Sequence, residues 1–228
     1  MRIAVVIPVV NEAEAIGRVL AELPAGAADQ VFVVDGGSAD ATRSTAEASG
    51  ATVLSQEGRG YGAACLTGAR AADADVIVFL DGDYSDPPGQ IERLLGPIRA
   101  GGADLVLGSR ELGGMMPGAL PRQARLGNRL AVALCRILYG LRISDLPSFK
   151  AIRRADLLAL GIRDLRYGWT AEMVARAASR GLRIREVPID YRVRIGSSKV
   201  SGTLKGSVLA GFSILRAVVL IRLSAGRD

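Results

Sequence analysis

The sequence predicts an α/β protein, a Rossmann-like, mostly parallel sheet flanked by helices. Three observations predict it. Short apolar runs alternate with helix-patterned segments through residues 1–110, the pattern of a doubly wound sheet. The runs are apolar throughout rather than every second residue, as in strands buried on both faces. Two of them stop at a carboxylate followed by glycine, Asp35-Gly36 and Asp81-Gly82-Asp83, and open sheets of this class bind ligands at the carboxyl ends of their strands.

Taken in order, Ile3-Ala4-Val5-Val6-Ile7 is the first strand, and Pro8 ends it. Asn11 and Glu12 open a helix running to about Leu23, with Asn11 the expected N-cap. Val31–Asp35 is the second strand, and the turn after it enters a helix capped by Ser38 or Asp40. Ala51–Ser55 is the third. The glycine-rich stretch Glu57-Gly58-Arg59-Gly60-Tyr61-Gly62 follows, open enough for a phosphate or a planar base to approach the backbone. Its spacing does not fit the dinucleotide fingerprint, which argues against NAD. The fourth strand ends at Asp81, a helix follows Pro87-Pro88 to about Ala100, and Asp104–Leu107 is the fifth strand.

The pattern then changes. Leu112–Leu120, with two glycines, two methionines and Pro117, is a lid or a plain connection. Arg122–Tyr139 is a helix on which Arg122, Arg125, Arg129 and Arg136 fall within about a 60° sector. Leu126, Leu130, Leu134 and Ile137 lie on an adjacent face suited to the core. The stripe, free of interleaved acids, reads equally as a solvated face or as a phosphate or membrane contact. Ser144–Lys150 leads into a short strand and a helix near Arg154–Leu160; a further helix runs from about Glu172 to Arg180. Leu182–Arg194 is a strand whose Pro188 suits a sheet edge. Gly196-Ser197-Ser198-Lys199 is a small-residue loop ending in a cation, suited to a diphosphate. Thr203–Ser224 is helical and largely apolar, but its longest uncharged run, Gly206–Leu215, is well short of the ~20 residues that span a bilayer. It is expected to pack on the protein or lie on a membrane surface.

Composition narrows the chemistry. With 228 residues and 49% hydrophobic content the chain supports one substantial core. There is no histidine, which excludes Ser-His and Cys-His catalysis and histidine-ligated metals. Cys65 and Cys135 lie far apart in helical segments, as expected of a reducing cytosol. The N-terminus runs straight into a strand, so no signal peptide is expected. The net charge of +6 is unevenly spread: residues 1–100 carry −7 and residues 101–228 carry +13. An acidic half able to hold a metal is joined to a basic half able to hold phosphates or face an anionic membrane.

Asp81 and Asp83 sharpen this. Two carboxylates so close repel unless a cation lies between them, and magnesium prefers a few carboxylates plus phosphate oxygens. Alone, Asp-Gly is a common turn pair; the surrounding motifs give it weight.

Val6-Ile7-Pro8-x-x-Asn11-Glu12, Val33-Val34-Asp35-Gly36-Gly37-Ser38-x-Asp40-x-Thr42, Gly60-x-Gly62-x-Ala64, Leu80-Asp81-Gly82-Asp83 and Gly108-Ser109-Arg110 together resemble the family-2 glycosyltransferases, which have the GT-A fold. Arg122 through Asn128, Asp145 through Lys150 and Gly196 through Lys199 resemble the branch of dolichyl-phosphate mannose and glucose synthases and their bacterial polyprenyl-phosphate counterparts. The resemblance implies one catalytic domain over residues 1–202, with a nucleotide-sugar half (1–110) and an acceptor-side half (111–202), and a basic C-terminal amphipathic helix over 203–228. It implies that Pro8, Asn11, Glu12, Asp35 and Gly60 line the nucleoside pocket. Asp81, Gly82 and Asp83 would be the DxD motif, the two aspartates holding magnesium or manganese on the donor's diphosphate. Arg110, Arg122, Arg125, Ser148, Ser198 and Lys199 would contact phosphates of donor or acceptor. This chain departs from the pattern at Gly36, where the family often has a second aspartate, and at Ser85, where a metal-contacting glutamine is common.

The implied reaction is inverting transfer of a hexose from a nucleotide sugar of the UDP-glucose or GDP-mannose type. A polyprenyl or dolichyl phosphate acceptor is already ionised and needs positioning only; a hydroxyl acceptor needs a base, for which Glu172 and Asp145 are the candidates. The runners-up are a saccharide or small-molecule hydroxyl acceptor on the same fold, and an inert nucleotide-binding or membrane-surface module. The expected partners are a nucleotide sugar, a lipid phosphate and a membrane surface, with no nucleic acid; the expected location is cytoplasmic, peripheral on the inner membrane face.

Overall fold

The computed structural model describes residues 1–166, 168–196 and 221. The expected Ser198 and Lys199 contacts, and the 203–228 helix, lie outside the described residues.

Seven strands form one sheet in the order β3-β2-β1-β4-β6-β5-β7. They are β1 (Ile3–Val9), β2 (Gln30–Asp35), β3 (Thr52–Ser55), β4 (Val76–Phe79), β5 (Leu105–Ser109), β6 (Lys150–Arg153) and β7 (Ile184–Pro188). All pair in parallel except β6, which is antiparallel to both β4 and β5. The fold class is therefore the expected mostly parallel α/β sheet. Pro8 does not end β1; it stays in the strand opposite Val34. The last β1–β4 pair is Val6 with Phe79, so the N–H that Pro8 lacks faces a side where pairing has already stopped.

The helices are α1 (Ala13–Glu22), α2 (Thr42–Ala48), α3 (Tyr61–Ala71), α4 (Ile91–Arg99), α5 (Arg122–Tyr139), α6 (Arg154–Ala159) and α7 (Trp169–Ser179), with a 3₁₀ turn at Pro88–Gln90. Strand alternation sorts the core into two layers. Ile3, Val5, Ile7, Val78 and Val106 face α1 and α4, through Ile16, Val19, Leu94 and Ile98. Ala4, Val6, Ile77, Phe79 and Leu107 face α3, α5 and α7, through Cys65, Cys135, Trp169 and Val174. Both cysteines are free and buried, and burial pushes their thiols up, to about 12 for Cys65 and about 11 for Cys135.

Two further expectations are corrected. Asn11 is not the cap of α1. It has a left-handed backbone (φ 50) and its Oδ1 accepts the Ala39 N–H at 2.8 Å, tying β1 to the loop after β2. Asp40 takes the capping work, accepting from Ala13 N at 3.3 Å and from Thr42 N at 3.0 Å, so one carboxylate serves the first turns of α1 and α2. On α5, Leu126, Leu130 and Ile137 do not face the core; they are 61%, 51% and 75% exposed. The buried positions are the small Ala131 and Cys135, on a helix that packs against α7.

Candidate active site

The strand order reverses between β1 and β4, which opens a crevice at the strands' carboxyl ends. The residues gathered there come from six separate segments, after β2, β3, β4, β5 and β7 and before β6.

On the β1–β2 side, Asp35 is buried at the end of β2. Burial works against its ionisation, but the Ser38 hydroxyl (2.5 Å) and N–H (3.0 Å) with Arg43 (3.3 Å) outweigh it and hold the carboxyl below its usual value. A side chain at Gly36 would meet Val10 Cγ2 at 2.6 Å and Gln56 Oε1 at 2.9 Å, so the second aspartate common in the family has no room here. Gln56 fills that space and donates to the Gly58 and Gly60 carbonyls, each at 3.2 Å. Gly60 has φ 108, and a Cβ on it would stand 2.4 Å from the Leu165 carbonyl oxygen. Only glycine meets both demands.

At the end of β4 three carboxylates cluster. Asp83 is 4% exposed; its Oδ1 accepts from the Ser85 N–H (2.9 Å) and hydroxyl (2.5 Å), and its Oδ2 pairs with Arg194. Ser85 is thus spent orienting Asp83. Asp86 is buried, with Oδ2 accepting from the Asp81 N–H (3.1 Å) and the Ser148 hydroxyl (3.0 Å), and Oδ1 buried without a partner. Burial, then the neighbouring carboxylate, pushes Asp81 up to about 6 and Asp86 up to about 7. Three carboxylates stand at this corner against two cations, Arg194 and the buried Lys150. Among the described residues no three Asp, Glu, Cys or His side chains converge on one metal position. Two hard carboxylates in excess charge instead suit a divalent cation completed by phosphate oxygens.

Across the crevice stands Asp145, which is fully buried. Its Oδ2 accepts from Arg110 N (2.9 Å) and Nε (2.8 Å), and its Oδ1 from an Arg110 terminal nitrogen (2.7 Å) and Leu146 N (2.8 Å). Burial opposes the charge on Arg110, but Asp145 more than restores it and the guanidinium is held protonated above its ordinary value. Glu172 is 4% exposed and accepts from Arg163 N (3.0 Å), Asp164 N (2.6 Å) and Arg176 Nε (2.5 Å). It binds the loop before α7 to that helix. Arg125 pairs with Glu111 at 3.0 Å, while Arg122 stands exposed at the first turn of α5.

Three participants were not legible in the sequence. Arg194 closes on Asp83 from beyond β7, where an Asp83 carbonyl accepts the Ile195 N–H at 2.9 Å. Arg192 lies over the Tyr84 ring (4.7 Å) and makes two 2.7 Å bonds to Glu22, strapping the same segment across the DxD loop. Asp86 joins the two aspartates only through the fold, although the Asp81-x-Asp83-x-x-Asp86 spacing is a signal that could have pointed to it.

Comparison with known proteins agrees with this fold. A dolichyl-phosphate hexose transferase of Haloferax volcanii is 35% identical over 227 residues, covering 97% of this chain and 96% of the relative. An undecaprenyl-phosphate mannosyltransferase of Micrococcus luteus is 34% identical over 224 residues, covering 92% and 91%. The crystal structure of glucosyl-3-phosphoglycerate synthase from Mycobacterium tuberculosis, in complex with Mn2+, UDP-glucose and phosphoglyceric acid, superposes with a TM-score of 0.80 at 26% identity, covering 97% of this chain and 79% of that one. The model of the glycosyl transferase family 2 matches residues 4–160, and the chain belongs to that family of glycosyltransferases.

Proposed function

We propose that this enzyme transfers a hexose from a nucleotide sugar to a polyprenyl phosphate at a membrane surface, with inversion at the anomeric carbon. The carrying observation is the engagement of Asp145 and Glu172. Every oxygen of Asp145 is taken by Arg110 and Leu146, and Glu172 is buried under Arg163, Asp164 and Arg176. Neither is free to take a proton from a hydroxyl. Asp86, at 1% exposure beneath the Asp81 backbone, is out of an acceptor's reach. A phosphate acceptor arrives ionised and needs only cations to position it. The polyprenyl-phosphate relatives support the same reading.

In this reading Asp81 and Asp83 hold Mg2+ or Mn2+, which supplies positive charge against the departing diphosphate. Gly82 brings the two aspartates close. Pro8, Asn11, Glu12, Asp35 and Gly60 line the nucleoside side. Arg194 exchanges Asp83 for the diphosphate, and Arg110, fixed by Asp145, presents its charge to the transferring group. Arg122, Arg125, Ser198 and Lys199 serve the phosphates, within one catalytic unit over residues 1–202. Ser148, expected among them, gives its one O–H to Asp86 and acts through that bond. The 203–228 segment is assigned to the membrane side.

Among the described residues no helix is long and apolar enough to cross a membrane. The outer face of α5 suits lying on one. Exposed Leu126, Leu130 and Ile137 run beside Arg122, Arg129 and Arg136, an apolar strip edged by cations that matches an anionic lipid surface.

The test supplies purified protein and Mn2+ with labelled UDP-glucose or GDP-mannose, offered undecaprenyl phosphate or 3-phosphoglycerate. Label extracted into organic solvent only with the lipid supports the proposal. Label confined to the aqueous phase refutes it and returns the hydroxyl-acceptor reading.

A further inference from the structure

Lys150 is the first residue of β6 and has no exposed surface. Its backbone pairs with Phe79 on one side and Leu107 on the other, in register with the strand that runs into Asp81. An ammonium group has three N–H donors, and here all three are used. Nζ donates to the Pro147 carbonyl (3.0 Å), the Ser148 carbonyl (2.9 Å) and the Thr170 hydroxyl (3.1 Å), and it lies 5.8 Å from the centre of the Phe79 ring. None of these partners is charged. Burying a cation among neutral acceptors carries a desolvation cost that a methionine of similar length does not, so packing gives no reason for a lysine here.

The geometry gives one. The three bonds tie together the Pro147–Ser148 turn and the first turn of α7. That turn carries two contacts into the crevice: Asp145 on its near side holds Arg110, and the Ser148 hydroxyl donates to Asp86, whose same oxygen accepts the Asp81 N–H. Asp81 and Asp86 also act on the ammonium through space, partly offsetting what burial takes from it. We propose that Lys150 is a positioning residue for the transfer, its buried ammonium fixing the Pro147–Ser148 turn and, through Ser148 and Asp86, the backbone that carries Asp81. This rests on the reading of Asp81 and Asp83 as the diphosphate-metal site, and it adds a residue that touches neither donor nor acceptor.

The test compares Lys150→Met, Thr170→Val, Ser148→Ala and the Lys150→Met/Ser148→Ala double variant with the wild type. Each is assayed with whichever acceptor the wild type uses, water included. Mn2+-dependent binding of UDP and GDP is measured by calorimetry, and melting by Trp169 fluorescence. A turn displaced by a fraction of an ångström predicts kcat down about 10- to 100-fold in Lys150→Met, with nucleotide affinity within about threefold. The double variant should be no worse than the more damaging single one, because both act through the same turn. Thr170→Val, which removes one acceptor at constant shape, should lower kcat by about 3- to 10-fold, and it decides the matter if Lys150→Met does not fold. Wild-type kcat in folded Lys150→Met, or in Thr170→Val, overturns the proposal, as do additive losses in the double variant. Failure of the wild type to bind nucleotide with Mn2+ overturns the site reading beneath it and is seen separately.

Discussion

Replacing Asp145 by asparagine separates a structural carboxylate from a catalytic one. In the native protein the side chain takes four N–H donors, three from Arg110 and one from Leu146, at 2.7–2.9 Å, with no exposed surface. Asparagine keeps the shape but turns one acceptor oxygen into a donor. Two N–H groups then face an NH2, and the guanidinium, 11% exposed, loses its counter-charge. Breaking a buried pair by removing one partner costs about 3–5 kcal/mol, against a total stability of roughly 5–15 kcal/mol. In a chain of 228 residues that is a drop on the order of 10 °C in melting temperature. Urea unfolding followed by fluorescence of the fully buried Trp169 measures it directly. Turnover should fall through misplacement of Arg110 and should not return when pH is raised. A stability within about 0.5 kcal/mol of wild type, below the usual range for such losses, combined with abolished turnover would refute the reasoning and make Asp145 a base.

Further outcomes follow from the same geometry. Asp83→Asn should abolish metal-dependent turnover while leaving the fold intact; full activity would remove the DxD assignment. Divalent binding should weaken as pH falls through about 6, where Asp81 takes up a proton in the folded state, since ligating carboxylates must be ionised. Asp83, Asp86, Lys150 and Arg194 all face that group, and calorimetry at pH 5 and 7.5 checks the slope. Without metal the sign is opposite for stability: the raised carboxyl costs least when protonated, so this corner gains stability between about pH 6 and the ordinary aspartate range. Gly60→Ala should cost about 2–3 kcal/mol, from a left-handed backbone and the 2.4 Å approach to Leu165, read as a lower urea midpoint. Leu126→Glu with Ile137→Glu should reduce co-sedimentation with anionic vesicles by about tenfold or more without changing melting temperature; unchanged sedimentation would place membrane contact elsewhere.

Local chemistry was legible because it is written locally. The buried run through Leu80 and the two aspartates beyond it are contiguous, so strand, turn and carboxylate pair could be read together, and β1 to β5 followed from the same alternation. Glycine at 60 carried its own signal as part of a Gly-rich loop. Periodicity alone misjudged α5: it identified an apolar face at Leu126, Leu130 and Ile137 but not what covers it, and the face with Ala131 and Cys135 is buried instead. Asn11 was misread for a related reason, since capping propensity is a local average and its bond to Ala39 crosses to another loop.

The sequence by itself determined the fold class, the strands that approach the crevice, and the pair Asp81 and Asp83, because each depends on residues adjacent along the chain. Only the tertiary structure decided that β6 enters antiparallel between β4 and β5, that Arg194 closes on Asp83, that Asp145 and Glu172 are committed to arginines, and that Lys150 is sealed beneath the site. The pairs Asp83–Arg194 and Asp145–Arg110 join residues dozens of positions apart, and the short-range bonds of Glu172 and Lys150 form only where the fold buries those side chains. Their strength comes from exclusion of water and fixed geometry, neither of which exists until the sheet is assembled.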